Sequence, residues 1–201
     1  MTADGQTRFC WSDSQQGLLK SAFFWGYLVL QIHGGTLAEK YGTRKVLGIA
    51  LLISAILTLL TPVIAKWNIW ALFVSRILIG IAEAVTFPSL PPLLQKWVPE
   101  SEKSKFISFT YTGGNLGTVI TYPLCGFILS TLDWEAVFYI TGGFSGLWCV
   151  LWFVVLTDDP NDHRCIKPKE VEYIEGHRTN TVKTSALPPY FEILIIQAFH
   201  M

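Results

Sequence analysis

Charged residues are scarce in this sequence, and four long stretches lack them altogether. Only 15% of the 201 residues are Asp, Glu, Lys or Arg, whereas 51% are hydrophobic. Residues 21–38, 46–65, 106–132 and 136–157 contain none of the four charged types. A helix of about 20 apolar residues crosses the ~30 Å core of a bilayer. These gaps argue against a water-soluble globular protein and predict a polytopic, all-α membrane protein.

Other functional signals are missing as well. The net charge is zero and no basic tract occurs, so nucleic-acid binding is not expected. Cys10, Cys125, Cys149 and Cys165 show no metal-ligand or Cys-x-x-Cys spacing, and we interpret them as packing residues. No nucleophile–base set, metal cluster or phosphate loop is visible. The sequence therefore predicts neither an enzyme, nor a bound metal, nor a cofactor.

The charge gaps define five membrane spans joined by short connections, which makes neighbouring helices antiparallel. The spans are predicted at about residues 18–38, 46–65, 69–94, 106–131 and 135–156, and they form a partial transmembrane bundle over residues 1–157. Residues 158–186 are polar and are predicted to be a linker. The apolar run 187–201 looks like the start of a further spanning helix that is cut short.

Lysine and arginine predict the orientation of the bundle. Eleven of them lie in the 38–45 and 95–105 loops and after residue 157. Only Arg8 and Lys66 lie on the opposite side, with Lys20 at a boundary. By the positive-inside tendency, the first set, and with it the 158–186 linker, is cytoplasmic.

Two charges, Arg76 and Glu83, interrupt the third span. They are nearly two helical turns apart, about 10 Å along the axis, and so share one face. Ionised groups are costly in hydrocarbon, so that face should point into the bundle or an aqueous cavity. The planar guanidinium of Arg76 suits a carboxylate or phosphate. Glu83 is a candidate proton carrier, because burial favours its neutral form and a nearby arginine its charged form. A helix-packing ion pair is the alternative.

The connection between the first two spans combines glycines and charges at a specific spacing. We call this segment the gate motif, and its members are Gly35, Glu39, Lys40, Gly42, Arg44 and Lys45. Gly42 suits a tight turn, and the acid with its flanking bases can form a charge network that differs between conformations. An ordinary positively charged loop is the alternative interpretation.

The gate motif, preceded by QGLLKSAFFWGYLVLQIHGG and followed by RILIGIAEAVTFPSLPPLLQKWVPESEKSK, resembles the major facilitator superfamily. Within it, the chain resembles the anion:cation symporter branch of sialin, the vesicular glutamate transporters and the type I sodium-phosphate cotransporters. The resemblance runs from about Phe9 to Arg178 and implies helices two to six of a twelve-helix fold. The first helix and most of the second half of the transporter would then be missing from this chain.

This resemblance implies secondary transport of a small organic or inorganic anion, such as phosphate, sialic acid or glutamate, coupled to protons or sodium. The partners would be the lipid bilayer and the anion, in a plasma, lysosomal or vesicular membrane. A truncated, transport-inactive membrane protein or isoform of the family is the alternative. The gate motif would stabilise the outward-facing state.

The resemblance also assigns roles to single residues. Arg76 and Glu83 match the family pattern R-x-x-x-G-x-x-E, which is implicated in cation coupling and substrate response. Tyr27 lies in a stretch that lines the central cavity of relatives, with aromatic packing as the alternative. Asn115 is a candidate cavity residue by resemblance. Lys20 stands where vesicular glutamate relatives carry a histidine linked to coupling, although a lysine reaching toward the interface is the alternative.

His33 replaces the proline of the family's usual QIPGG sequence. A proline inside a helix kinks it, so the histidine predicts a straighter helix at this position.

Overall fold

The computed structural model describes residues 11–158 and the single positions Ile166 and Gly176, and the described part is helical with no strand. Its seven helices are α1 (Asp13–Gln31), α2 (Gly34–Tyr41), α3 (Thr43–Trp67), α4 (Ile69–Glu83), α5 (Thr86–Trp97), α6 (Glu100–Thr131) and α7 (Trp134–Val155). The predicted linker and the final apolar run lie outside the described residues, apart from Asp158 and those two positions.

Local capping explains where several helices begin. The Ser12 hydroxyl accepts a hydrogen bond from the backbone N–H of Gln15, whose side chain accepts one from the Ser12 N–H in return. Asn68 starts α4 by accepting the Trp70 N–H at 2.8 Å. Gly42 separates α2 from α3 with a φ of 90°, a conformation that side chains other than glycine rarely adopt.

The helices follow the five predicted spans, two of which are broken. Helices α1 and α2 together cover the first span, and α4 and α5 cover the third. Among the described residues, three helical stretches are long and apolar enough to cross a membrane: Thr43–Trp67, Ile69–Trp97 and Trp134–Val155. For α1–α2 and for α6, a membrane crossing is inferred from the sequence instead, because residues 21–38 and 106–132 contain no charged residue.

The first span is interrupted next to His33, although no proline stands there. The helix is interrupted at Ile32 and His33, where the His33 N–H donates to the Leu30 carbonyl in a tighter turn. The break adjoins the break in the third span, because a Cβ on Gly34 would lie 2.9 Å from Cα of Val85. The two broken segments therefore pack closely against each other.

Two tightly packed helix pairs form the core of the bundle, α1 with α4 and α3 with α7, and α3 also packs on α4. Glycines permit these approaches. A side chain on Gly26 or Gly80 would collide with the backbone of the opposite helix, and one on Gly48 would collide with the Phe153 ring.

Helix α6 packs far less closely on the other described helices. Its residues from 108 to 124 are all exposed, and its contacts with α5 and α7 are few. A side chain added at Gly113, Gly114 or Gly117 would meet no atom within 4 Å. The face of α6 that carries these three glycines is therefore open among the described residues.

Candidate functional site

A cavity of about 580 Å³ lies among α1, α3, α4 and α7, at the end of the bundle opposite to the gate motif. This volume is within the range of small-molecule sites, roughly 300–1,000 Å³. Its walls are mainly apolar and aromatic: Trp11, Leu19, Phe23, Ala65, Leu72, Trp134 and Phe138. The charged residues that line it are both cations, Arg76 and Lys20. The cavity is therefore apolar in its walls and positive in its charge.

Arg76 reaches this cavity from the middle of α4. Its guanidinium carbon lies 5.7 Å from the centre of the Phe138 ring of α7, a cation–π arrangement. The side chain is partly buried between the helices. A cation–π contact does not use the N–H donors of the guanidinium, so these donors are available to a ligand.

Lys20 lies on α1 and lines the same cavity as Arg76. The residue is exposed, so its side chain remains free to move toward the cavity or away from it. The structure thus brings together two of the predicted site residues.

Glu83 ends α4 and does not line the cavity. Its Oε1 accepts a hydrogen bond of 2.7 Å from the hydroxyl of Ser54, a buried residue of α3. Arg76 and Glu83 interact electrostatically, yet they form no ion pair. Within residues 11–158 the structure shows an ion pair in which Nζ of Lys66 lies 2.6 Å from Oε1 of Glu135.

Tyr27 lies on α1, the helix that also carries Lys20. Its ring stacks on that of Phe23, with centroids 5.8 Å apart, and its hydroxyl interacts electrostatically with Glu83. Phe23 lines the cavity whereas Tyr27 does not. Tyr27 therefore interacts with Glu83 and lies outside the lining of the cavity that Arg76 faces.

Asn115 is not brought to this cavity. It lies on the open part of α6 and is exposed. Its assignment as a substrate-binding residue remains a prediction.

The gate motif forms α2 and the start of α3. Gly35 packs near Pro88 of α5, where a Cβ would lie 3.3 Å from the Pro88 carbonyl oxygen. Glu39, Lys40 and Lys45 are exposed, and the Lys40 ammonium lies 5.4 Å from the centre of the Tyr41 ring. These three charges make no ion pair with one another among the described residues.

Arg44 is the gate-motif residue with the most contacts in the interior. Its backbone N–H donates to Oδ1 of Asp158 at 2.8 Å, and its guanidinium donates to the Phe153 carbonyl oxygen. Its own carbonyl accepts the indole N–H of Trp152 at 3.1 Å. Arg44 therefore links the start of α3 to the end of α7.

Sequence reasoning missed Ser54, Phe138 and Asp158. Ser54 offered a signal, because it is a hydroxyl residue inside the charge-free stretch 46–65. Asp158 offered a weaker one as an acid directly after the last span. Nothing in the sequence distinguished Phe138 from the other aromatics of α7.

Comparison with known proteins gives one family. The Major Facilitator Superfamily matches residues 5–199, which is nearly the whole chain.

Curated relatives carry the names of transporters. Sialin of Homo sapiens is 38% identical over 187 residues, covering 93% of this chain. Vesicular glutamate transporter 1 of Xenopus tropicalis is 34% identical over 85% of the chain, and a putative inorganic phosphate cotransporter of Drosophila melanogaster is 32% identical over 98%. These names agree with the expectation of a protein that is not an enzyme. The matches span 38%, 30% and 40% of the three relatives, respectively.

Proposed function

Because this chain belongs to the major facilitator superfamily and is a multi-pass integral membrane protein, we propose that it acts in secondary active transport of a small anion. The relatives include proteins named for glutamate and for inorganic phosphate, so the shared chemistry is a compact negative charge. The chain would supply the cation-lined half of the substrate pathway.

The positive cavity is the observation that carries this proposal. Arg76 and Lys20 face a space of about 580 Å³, and none of the described residues that line it is Asp or Glu. An arginine held in place by Phe138 offers a planar set of donors that match carboxylate or phosphate oxygens. A charge on a membrane-spanning helix is costly unless it is paired, so a bound anion would supply a partner for Arg76.

Glu83 is the proposed coupling residue. It is an acid on the same helix as Arg76, it interacts with that arginine electrostatically, and it lies outside the cavity that would hold the anion. Protonation of Glu83 would remove a negative charge near the anion site and thereby favour anion binding. A proton or a sodium ion at this carboxylate would have the same electrostatic effect.

The gate motif is proposed to control access at the other end of the bundle. Alternating access in such transporters proceeds by rocking of helical bundles around a site near the middle of the membrane. The exposed charges Glu39, Lys40 and Lys45 would make and break contacts during this motion, while Arg44 keeps α3 and α7 together.

Uptake into proteoliposomes tests the proposal. Two preparations are needed, the 201-residue chain and the product of the longest reading frame that contains it. Glutamate, sialic acid and inorganic phosphate serve as probes under an imposed pH or sodium gradient. We expect gradient-driven uptake of at least one probe, lost in Glu83→Gln and retained in the matched control Glu102→Gln, since Glu102 lies in the first turn of α6 and does not line the cavity.

The outcomes separate the alternatives. Full gradient-driven uptake by Glu83→Gln would show that the assigned role of Glu83 is wrong. Uptake of no probe by either preparation would favour the transport-inactive membrane protein.

A further inference from the structure

Ser54 is a buried polar residue in the middle of the apolar helix α3. It is only 5% exposed, and its hydroxyl donates to Oε1 of Glu83 at 2.7 Å. A serine in a helix commonly bonds to a carbonyl of its own helix, as Thr61 does with Leu57 on α3. Ser54 instead reaches across to α4. The bond fixes the direction in which the Glu83 carboxylate points.

This direction matters for Arg76. Arg76 is a permanent cation on the same helix, and it attracts Glu83 without forming an ion pair with it. The Arg76 guanidinium makes a cation–π contact with Phe138, and Arg76 lines the cavity. If the carboxylate were released from α3, its strongest neighbouring attraction would be this guanidinium. A direct pair would occupy the donors that an anion needs.

We propose that Ser54 is a positioning residue that holds the Glu83 carboxylate against α3 and so keeps the Arg76 guanidinium open to an anion. The anion as ligand rests on the proposed function, whereas the placement of Glu83 and Arg76 does not. Ser54 makes no contact with the ligand in this proposal and acts only through Glu83. Tyr27, which also lies near Glu83, is the competing partner for a released carboxylate.

The reactivity of Arg76 tests the proposal without any transport assay. The full 201-residue chain in lipid nanodiscs is treated with phenylglyoxal, which modifies guanidinium groups, and the rate at Arg76 is followed by mass spectrometry. We expect Arg76 to react readily in the parent and severalfold more slowly in Ser54→Ala, because the released carboxylate pairs with it. The double variant Ser54→Ala/Glu83→Gln should return to the parent rate.

Internal and matched controls separate positioning from damage to the fold. Arg44, whose guanidinium donates to the Phe153 carbonyl far from Ser54, should react at one rate in every variant. Ser54→Thr keeps a hydroxyl and should resemble the parent. If Ser54→Ala alters the Arg44 rate and so reports misfolding, the nearly isosteric Ser54→Cys takes its place.

Equal Arg76 rates in the parent and in Ser54→Ala would overturn the proposal, and this is also the result expected if the released carboxylate turned to Tyr27. Slow modification of Arg76 by phenylglyoxal in the parent would also overturn the proposal. In a preparation that transports a probe, Ser54→Ala should raise the KM for that probe about tenfold with little change in kcat. If no preparation transports a probe, the proposed function fails, but the reactivity of Arg76 still decides the role of Ser54.

Discussion

Arg44 of α3 and Asp158, which follows α7, cap the adjoining ends of these two helices. The Asp158 carboxylate accepts the backbone N–H of Arg44 in the first turn of α3, at 2.8 Å. The Arg44 guanidinium donates to the Phe153 carbonyl in the last turn of α7. These are the helix ends that leave backbone groups without partners, and the signs of the charges suit the helix dipoles. The gate motif thus fastens α3 to α7 at one end of the bundle.

This relationship predicts a loss of stability in Asp158→Ala. Removal of a capping carboxylate costs about 1 kcal/mol, so the thermal unfolding midpoint of the purified chain in detergent should fall. Tryptophan fluorescence during heating measures it. Asp133→Ala is the matched control, since Asp133 precedes α7 as its N-cap residue but its side chain makes no capping bond. An equal fall in both variants would contradict the capping role of Asp158.

The positions of the site charges could be predicted because they depend on one helix alone. Arg76 and Glu83 are the only charges in the third span, and helix geometry puts them on one side. The partners of these residues lie on other helices. Ser54 on α3 and Phe138 on α7 come near them only through tertiary packing, which no local pattern encodes.

The same difference between local pattern and tertiary packing applies to the fold. Five charge-free or nearly charge-free stretches predicted where helices run, because length and hydropathy are local properties. The break at His33 was not foreseen, and it lies where Gly34 packs closely on Val85 in another broken helix. A rule based on proline alone could not locate it.

The glycine contacts predict opposite effects of the same substitution at two positions. In Gly80→Ala the new methyl group collides with the Phe23 carbonyl of α1, so α1 and α4 must separate and stability should fall by about 1–3 kcal/mol. In Gly113→Ala the methyl group enters open space on α6, and stability should rise by roughly 0.5–1 kcal/mol through helix propensity. Thermal unfolding in detergent compares the two variants. A loss in Gly113→Ala as large as that in Gly80→Ala would contradict the packing described for α6.

The proposed anion site predicts that lysine cannot replace Arg76. Arg76→Lys keeps the positive charge but loses the planar donor set of the guanidinium that contacts Phe138. We expect the KM for the transported probe to rise about tenfold, with a larger loss in Arg76→Gln. Concentration-dependent uptake into proteoliposomes measures both. An unchanged KM in Arg76→Lys would mean that Arg76 supplies only charge.

Phe138 provides the last test, because it supports Arg76 without contributing charge. Phe138→Leu keeps an apolar side chain in the cavity wall but removes the ring that lies 5.7 Å from the guanidinium carbon. Loss of this cation–π contact is worth about 1 kcal/mol, so affinity for the probe should fall roughly fivefold. Phe144→Leu is the control on the same helix, since Phe144 is 71% exposed and lines no described cavity. If both variants bind the probe equally well in a direct binding titration, then Arg76 does not depend on Phe138 for its orientation.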